Sequence, residues 1–188
     1  RPASMKTIVL DRDGVINQDS DDYIKSAEEF VPIVGSIEAI ANLSAAGFRV
    51  FIATNQSGLA QQFFDEDILS EIHHLLCSMV EQLGGAIDGI FYCPHHPDDK
   101  CSCRKPGTGL LEQIESEFAC KLAGSYFVGD SLKDIQAAQA FGCKPILVRT
   151  GKGTLTESVL RSNAASDVPV YESLSSAIAD MLEIERND

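Results

Sequence analysis

Apolar residues in this chain fall into short unbroken runs, separated by segments with a helical repeat. The runs are TIVLD (7–11), FRVFIATN (48–55), GIFYCP (89–94), SYFVGD (125–130) and PILVRT (145–150). They are rich in β-branched and aromatic residues and mostly lack in–out alternation, the pattern of strands covered on both faces. PVYES (169–173) adds a shorter edge-strand candidate. Across 67–83, Ile68, Ile72, Leu75, Met79 and Leu83 recur on one helical face, with Asp65 placed as the N-cap. Ile37, Ile40 and Leu43 mark an earlier helix that stops at Gly47. Ile135 and Ala138 mark a later one that stops at Gly142, and Leu174, Ile178, Met181 and Leu182 mark the last. Glycine just past a final turn supplies the left-handed residue that ends a helix. This strand–helix alternation predicts an α/β fold: a single Rossmann-like domain with a central parallel sheet and helices on both faces.

A length of 188 residues suits one such domain. Residues 5–188 are read as that domain, and Arg1 to Ser4 as a leftover ahead of a natural start at Met5. No apolar run nears the ~20 residues of a membrane helix, and no signal-peptide pattern is visible, so a cytoplasmic protein is expected. Charge changes the picture more. The formal net charge is −13, from 28 acidic and 15 basic residues. Such a field repels nucleic acid and anionic membrane surfaces, and neither is an expected partner. It also obliges an anionic substrate to find local positive charge, from a metal ion or a few placed Lys and Arg. Six cysteines without an export signal read as thiols or metal ligands before disulfides.

Ligands of open parallel sheets sit beyond the carboxyl ends of the strands. Those ends read Asp11-Arg12-Asp13-Gly14, Thr54-Asn55-Gln56-Ser57, a cysteine loop leading to Arg104-Lys105, and Gly129-Asp130-Ser131. Asp11 and Asp13 repel each other unless a cation or a shared proton compensates. Asp130 offers a third oxygen, and oxygen-only ligation beside a substrate phosphate suits Mg²⁺. A lone DxD pair serves equally well as turn and cap residues; three matching strand ends argue against that. The Thr54 hydroxyl suits a phosphate oxygen, Lys105 adds a point charge and Arg104 a planar fork. A carboxylate nucleophile, a nearby acid, a hard cation and donors for equatorial oxygens together describe phosphoryl chemistry.

The cysteine loop has its own chemistry. Cys93, His95, Cys101 and Cys103 form a C-x-H…C-x-C set, a closed tetrahedron of the structural Zn²⁺ type. A Cys101–Cys103 disulfide would be strained. A zinc loop at 93–103 would rigidify the chain that delivers Arg104 and Lys105. His96 is read as exposed or as a donor behind the ligands. Cys77, Cys120 and Cys143 read as packed or idle thiols, and His73 and His74, without evident partners, as surface or packing residues.

LDRDG, ATN, the Lys of RKP, and GDSLKD, in that order, resemble the haloacid dehalogenase superfamily of phosphohydrolases. More narrowly, DRDGVIN, TNQSGLA, the YCPHHP…CxCRKP loop and VGDSLKDIQAA resemble its heptose 1,7-bisphosphate phosphatases, over most of the chain. The resemblance implies Asp11 as nucleophile, Asp13 as general acid and base, and Thr54 and Lys105 as stabilisers of the phosphoryl group. It implies Mg²⁺ on an Asp11 carboxylate oxygen, the Asp13 carbonyl and Asp130, with Asp134 in the outer shell. Arg104, Asn55, Gln56, Ser57, Asp19 and Asp22 would meet the sugar bisphosphate. The reaction implied removes the 7-phosphate of D-glycero-D-manno-heptose 1,7-bisphosphate, on the way to activated heptose for the lipopolysaccharide core.

Larger members carry a cap domain, which the segment between Asp11 and Phe48 is too short to hold. Residues 17–23, NQDSDDY, and the cysteine loop would do the cap's work, although 17–23 is one residue longer than the family spacing. The nearest alternative is a histidinol-phosphate phosphatase, with the same motifs and a similar zinc loop; TNQSGLA favours the heptose type. A phosphatase of DNA ends is disfavoured by the acidic charge. A non-catalytic phosphate-binding module would not need Asp11, Asp13, Thr54, Lys105 and Asp130 all intact. A monomer is expected, since the chain closes its own site and shows no evident exposed apolar helix.

Overall fold

The computed structural model describes residues 6–163 and 166–188; the reading of Arg1 to Ser4 and Met5 lies outside them. The apolar runs become six strands: β1 (Lys6–Leu10), β2 (Phe48–Asn55), β3 (Gly89–Cys93), β4 (Tyr126–Gly129), β5 (Lys144–Val148) and the two-residue β6 (Val170–Tyr171). They form one parallel sheet in the order β3-β2-β1-β4-β5-β6. Ile8 of the central β1 lies opposite Val50 on one side and Tyr126 on the other.

Successive residues of a strand point to opposite faces, so an unbroken apolar strand must feed two cores. Ile8 and Leu10 join a core with residues of α1 (Ser36–Ala45), α2 (Glu66–Gln82) and α6 (Leu174–Asn187). Val9 joins the other, with Leu110, Leu111 and Ile114 of α3 (Gly109–Phe118) and Ala138 of α4 (Leu132–Phe141). Helices therefore cover both faces, and the α/β class read from the sequence holds. Between Leu10 and Phe48 lie only a 3-10 turn (Ala27–Glu29) and α1, so the fold is capless. Among the described residues, no helix is long and apolar enough to cross a membrane.

Three details differ from the periodicity. The buried stripe of α2 is Leu69, Ile72, Leu76 and Val80, largely one position on from the expected one; Ile68, Leu75 and Met79 flank it, and Leu83 is 51% exposed. The α3 segment carries a helix that the pattern reading does not single out. So does α5 (Gly153–Arg161), because that helix buries Thr156 and Glu157 and leaves Leu155 and Val159 exposed at 75% and 51%. The premise that no apolar helix surface is exposed therefore fails at α5.

Strand order reverses at β1: the chain goes to β2 and β3 on one side and to β4, β5 and β6 on the other. This switch point opens a crevice at the carboxyl ends of β1, β2 and β4, where Asp11, Thr54 and Asp130 follow or end their strands.

Candidate active site

Asp11 is buried directly after β1, and its Oδ1 accepts hydrogen bonds from Lys105 Nζ at 2.9 Å and from the Arg12 amide at 2.8 Å. Lys105, also buried, donates to Ala53 O at 2.8 Å and to Asp134 Oδ1 at 2.7 Å, so all three ammonium donors are used. Burial would lower the Lys105 pKa, but the charges of Asp11 and Asp134 outweigh it and hold the ammonium form. The loop that carries Lys105 is locked by Asn55, which donates to Lys105 O at 3.1 Å and accepts from Lys105 N at 3.0 Å. The side-chain amide expected to meet substrate is thus engaged with the main chain.

Asp134 sits in the first turn of α4, where Ser131 caps the helix in a reciprocal capping box. Its Oδ2 accepts from Asp130 N, Ser131 N and Ser131 Oγ at 3.0–3.2 Å, and its Oδ1 takes Lys105. Burial opposes ionisation, but Lys105 and these donors hold the Asp134 carboxyl below its ordinary range. Asp130 is less well served. Its Oδ2 accepts from Lys152 N at 2.9 Å, and its oxygens otherwise face Asp11. Burial and the neighbouring Asp134 push Asp130 up to about 7. Burial first, then Asp134, raise Asp11 well above the usual carboxylate range, with Lys105 offsetting part of it.

Two glycines make room for the Asp130 carboxylate. A Cβ on Gly14 (φ +84°) would lie 2.0 Å from Asp130 Oδ2, and one on Gly151 (φ +58°) would lie 2.3 Å from the same oxygen. Both positions also need the left-handed backbone that glycine adopts without penalty. Asp11, Asp130 and Asp134 place their oxygens within 4.8 Å of one another, against the single charge of Lys105. That surplus of buried negative charge fits an added divalent cation. Asp134, with both oxygens already engaged, suits the outer shell, and Asp11 and Asp130 the inner one.

Asp13 points elsewhere. Its Oδ1 accepts from Arg12 Nη2 at 2.8 Å, Arg12 Nε at 3.0 Å and Asn17 Nδ2 at 2.9 Å, while Oδ2 accepts, among the described residues, only from Gln56 Nε2 at 3.1 Å. Burial would raise its pKa, but the Arg12 charge and the bonds from Asn17, Arg12 and Gln56 hold it below the ordinary value. Gln56 Nε2 also donates to Thr54 Oγ1 at 3.0 Å, which leaves the Thr54 hydroxyl hydrogen free to donate. Arg12 is fully buried, and its third nitrogen, Nη1, lies 3.1 Å from His73 Nε2 on α2. Burial, then the Arg12 charge, push His73 down to about 3. The partner that the sequence did not reveal for His73 is therefore Arg12.

Around the mouth, Arg104 is half-buried and its charge acts on Tyr23 and Lys133. Asp19 lies 4.0 Å from Lys152 Nζ and lines a cavity of about 510 Å³ with Gln18, Thr150 and Gly151. Asp22 is exposed and outside that lining. Ser57 is buried and accepts from Gln61 Nε2 at 3.3 Å; the same amide nitrogen lies 2.7 Å from Tyr23 Oη, tying the 17–23 loop to the chain after β2.

In the cysteine loop, Cys93 Sγ, His95 Nδ1, Cys101 Sγ and Cys103 Sγ cluster with contacts of 2.8–3.7 Å. Bonds of about 2.3 Å to a common centre imply edges of about 3.8 Å, whereas a disulfide needs about 2.0 Å. All six cysteines are free, so the set fits a metal rather than a bridge. His96 is not part of it: its Nδ1 accepts from Asp98 N at 3.1 Å and caps the turn Pro97–Asp99 within the loop. Cys143 is buried and its thiol faces Leu122 O, a packed residue as read from the sequence.

A doubly wound parallel sheet that gathers buried carboxylates, a lysine and a threonine hydroxyl at its switch point is the architecture of a haloacid dehalogenase-type phosphohydrolase. The comparisons narrow this. The HAD-hydrolase-like family profile matches residues 102–177. A D-glycero-beta-D-manno-heptose-1,7-bisphosphate 7-phosphatase of Pseudomonas aeruginosa is 53% identical over 81% of this chain and 86% of its own. The same-named enzyme of Neisseria meningitidis is 46% identical over 90% of this chain and 91% of its own. The crystal structure of the D,D-heptose 1,7-bisphosphate phosphatase from B. bronchiseptica, complexed with magnesium and phosphate, superposes with a TM-score of 0.90 at 46% identity. It covers 95% of this chain and 99% of its own. The chain belongs to the haloacid dehalogenase superfamily, in the family of the heptose 1,7-bisphosphate phosphatases.

Proposed function

We propose that this protein removes the 7-phosphate of D-glycero-β-D-manno-heptose 1,7-bisphosphate, releasing heptose 1-phosphate and inorganic phosphate. The observation that carries the reading is the Asp11–Lys105 contact after β1, with Asp13 two residues on keeping one carboxylate oxygen, Oδ2, bonded only by Gln56 among the described residues, in a chain 53% identical to an enzyme of that name. The anomer follows the names of the curated relatives.

Asp11 attacks phosphorus as the bond to the C7 oxygen breaks, and an aspartyl-phosphate forms. The negative charge of the bound phosphate opposes the depressed pKa of Asp13, which takes up a proton from solvent at Oδ2, because three donors already saturate Oδ1, and gives it to the departing oxygen. Asp13 then takes a proton from the water that attacks phosphorus, the Asp11 ester bond breaks, and phosphate leaves. Thr54 Oγ1–H and Lys105 Nζ meet the charge on the equatorial oxygens. Arg104, from the loop that also delivers Lys105, holds the substrate. Asp11, Asp130 and the Asp13 carbonyl hold Mg²⁺ directly, and Asp134 supports them. When bound, Mg²⁺ supplies Lewis-acid stabilisation and neutralises the carboxylates.

The test is phosphate release with Mg²⁺ from both anomers of heptose 1,7-bisphosphate and from histidinol phosphate. The expected outcome is a kcat/KM for the β-bisphosphate at least about 100-fold above histidinol phosphate. A preference for histidinol phosphate would leave the catalytic roles standing and overturn the substrate.

Cys93, His95, Cys101 and Cys103 hold a structural Zn²⁺ that stiffens the turn into Arg104-Lys105. Cys101→Ser should lower zinc content in elemental analysis and cost about 10-fold or more in kcat/KM through loss of the loop's order. Full zinc occupancy in that variant would remove Cys101 from the ligand set.

A further inference from the structure

We propose that Arg12, fully buried, and the half-buried His73 form a positioning pair that sets the orientation of the Asp13 carboxylate for proton transfer. The proposal rests on the role given to Asp13 under Proposed function. Arg12 puts two nitrogens on Asp13 Oδ1, at 2.8 and 3.0 Å, and Asn17 puts a third donor there at 2.9 Å. One oxygen is thereby filled, and the carboxylate is turned so that Oδ2, held among the described residues by Gln56 alone, carries the free lone pair.

A guanidinium is planar, so the direction of its third nitrogen fixes the plane of the whole fork. That nitrogen, Nη1, ends at His73 Nε2, contributed by α2, 61 residues along the chain. Guanidinium nitrogens only donate, so Nε2 must accept, and the neutral imidazole carries its proton on Nδ1. Without an acceptor there, Arg12 would keep a buried unpaired donor at full burial, which the side chain can relieve only by turning. Turning moves both contacts to Asp13. The ring of His73 is held in place by Tyr92, 6.2 Å away between centroids, and lines a cavity of about 530 Å³ with Ser70, His74 and Glu81. The Arg12 guanidinium and the His73 ring bond to none of Asp11, Asp130 and Asp134, nor to the phosphoryl donors Thr54 and Lys105; Arg12 meets Asp11 only through its main-chain amide, at 2.8 Å, which these side-chain variants keep.

Two substrates separate positioning of Asp13 from general damage. Heptose bisphosphate releases its sugar through the C7 oxygen as an alkoxide, which needs the proton of Asp13. p-Nitrophenyl phosphate leaves as a stable phenolate and does not need it in the first step. In His73→Leu, kcat on the bisphosphate should fall by about 10- to 100-fold with KM within about twofold. The rapid-mixing rate of nitrophenolate release in the first turnover should stay within about twofold of the parent. His73→Gln, whose amide oxygen can accept from Nη1, should recover most of the loss. In an Asp13→Asn background, His73→Leu should add less than about twofold.

An equal loss on both substrates in the first turnover would overturn the proposal, as would a full additional loss in the Asp13→Asn background. So would unchanged kcat in folded His73→Leu, or, if that variant does not fold, a His73→Gln as slow on the bisphosphate as on the aryl ester. Parent protein that turns over no phosphate ester would overturn the role of Asp13 itself; active parent with an unaffected His73→Leu overturns only the pair.

Discussion

Asp11→Asn is expected to lower phosphate release by at least about 10⁴-fold while leaving the fold intact, the scale seen when a covalent nucleophile is removed. The stability side of this prediction separates it from ordinary damage. Asp11 is buried beside Asp134 and Asp130, and its folded pKa is raised for that reason. A carboxyl whose pKa is higher folded than unfolded is destabilising once pH rises above its ordinary value, because the folded state then holds an unwelcome charge. At neutral pH, and without Mg²⁺, the amide removes that charge and still accepts from Lys105. The thermal midpoint of Mg²⁺-free Asp11→Asn should therefore equal or exceed that of the parent, and zinc content should match the parent's. Turnover by clean Asp11→Asn protein would reassign the nucleophile. Lost turnover with a midpoint well below the parent's would mean that Asp11 holds the site together rather than reacts.

What could be read from the sequence follows a physical line. The strand ends were legible because a buried parallel strand is an unbroken apolar run, so Asp11, Thr54 and Asp130 stand out as the first polar residues after it. The cysteine loop was legible because its ligands lie within eleven consecutive positions, 93–103. Contacts between distant segments leave no such trace. Nothing in the helical repeat of α2 marks His73 as the acceptor for Arg12, and nothing in TNQS tells that Asn55 grips the main chain of Lys105 while Gln56 orients Asp13. The amide-rich segment was expected at the substrate because side-chain amides suit sugar hydroxyls equally well. The α5 segment misled for a different reason. Its buried face is polar, with Glu157 paired to Arg149 and Arg161, so a search for apolar periodicity finds the solvent side.

Lys105→Met should be the variant that loses both activity and stability. Its stem keeps the volume of the buried lysine while the charge and three hydrogen bonds disappear. Two effects follow from one atom. The transferring phosphoryl group loses a preorganised cation, worth about 10²–10³ in kcat. Asp11 and Asp134 lose their one buried counter-charge. Removing one partner of a buried pair costs about 3–5 kcal/mol, or a midpoint lower by about 6–20 °C in a chain of this size. Lys105→Arg should not restore either property, since a planar fork cannot reach Asp11, Asp134 and Ala53 O as the tetrahedral ammonium does. Because Mg²⁺ and Lys105 offset the same carboxylates, added Mg²⁺ should raise the midpoint of Lys105→Met more than that of the parent, as calorimetry with and without the ion would measure. Equal Mg²⁺ shifts in the two proteins would show that cation and lysine act on separate charges, and the three acids could then no longer be treated as one electrostatic unit.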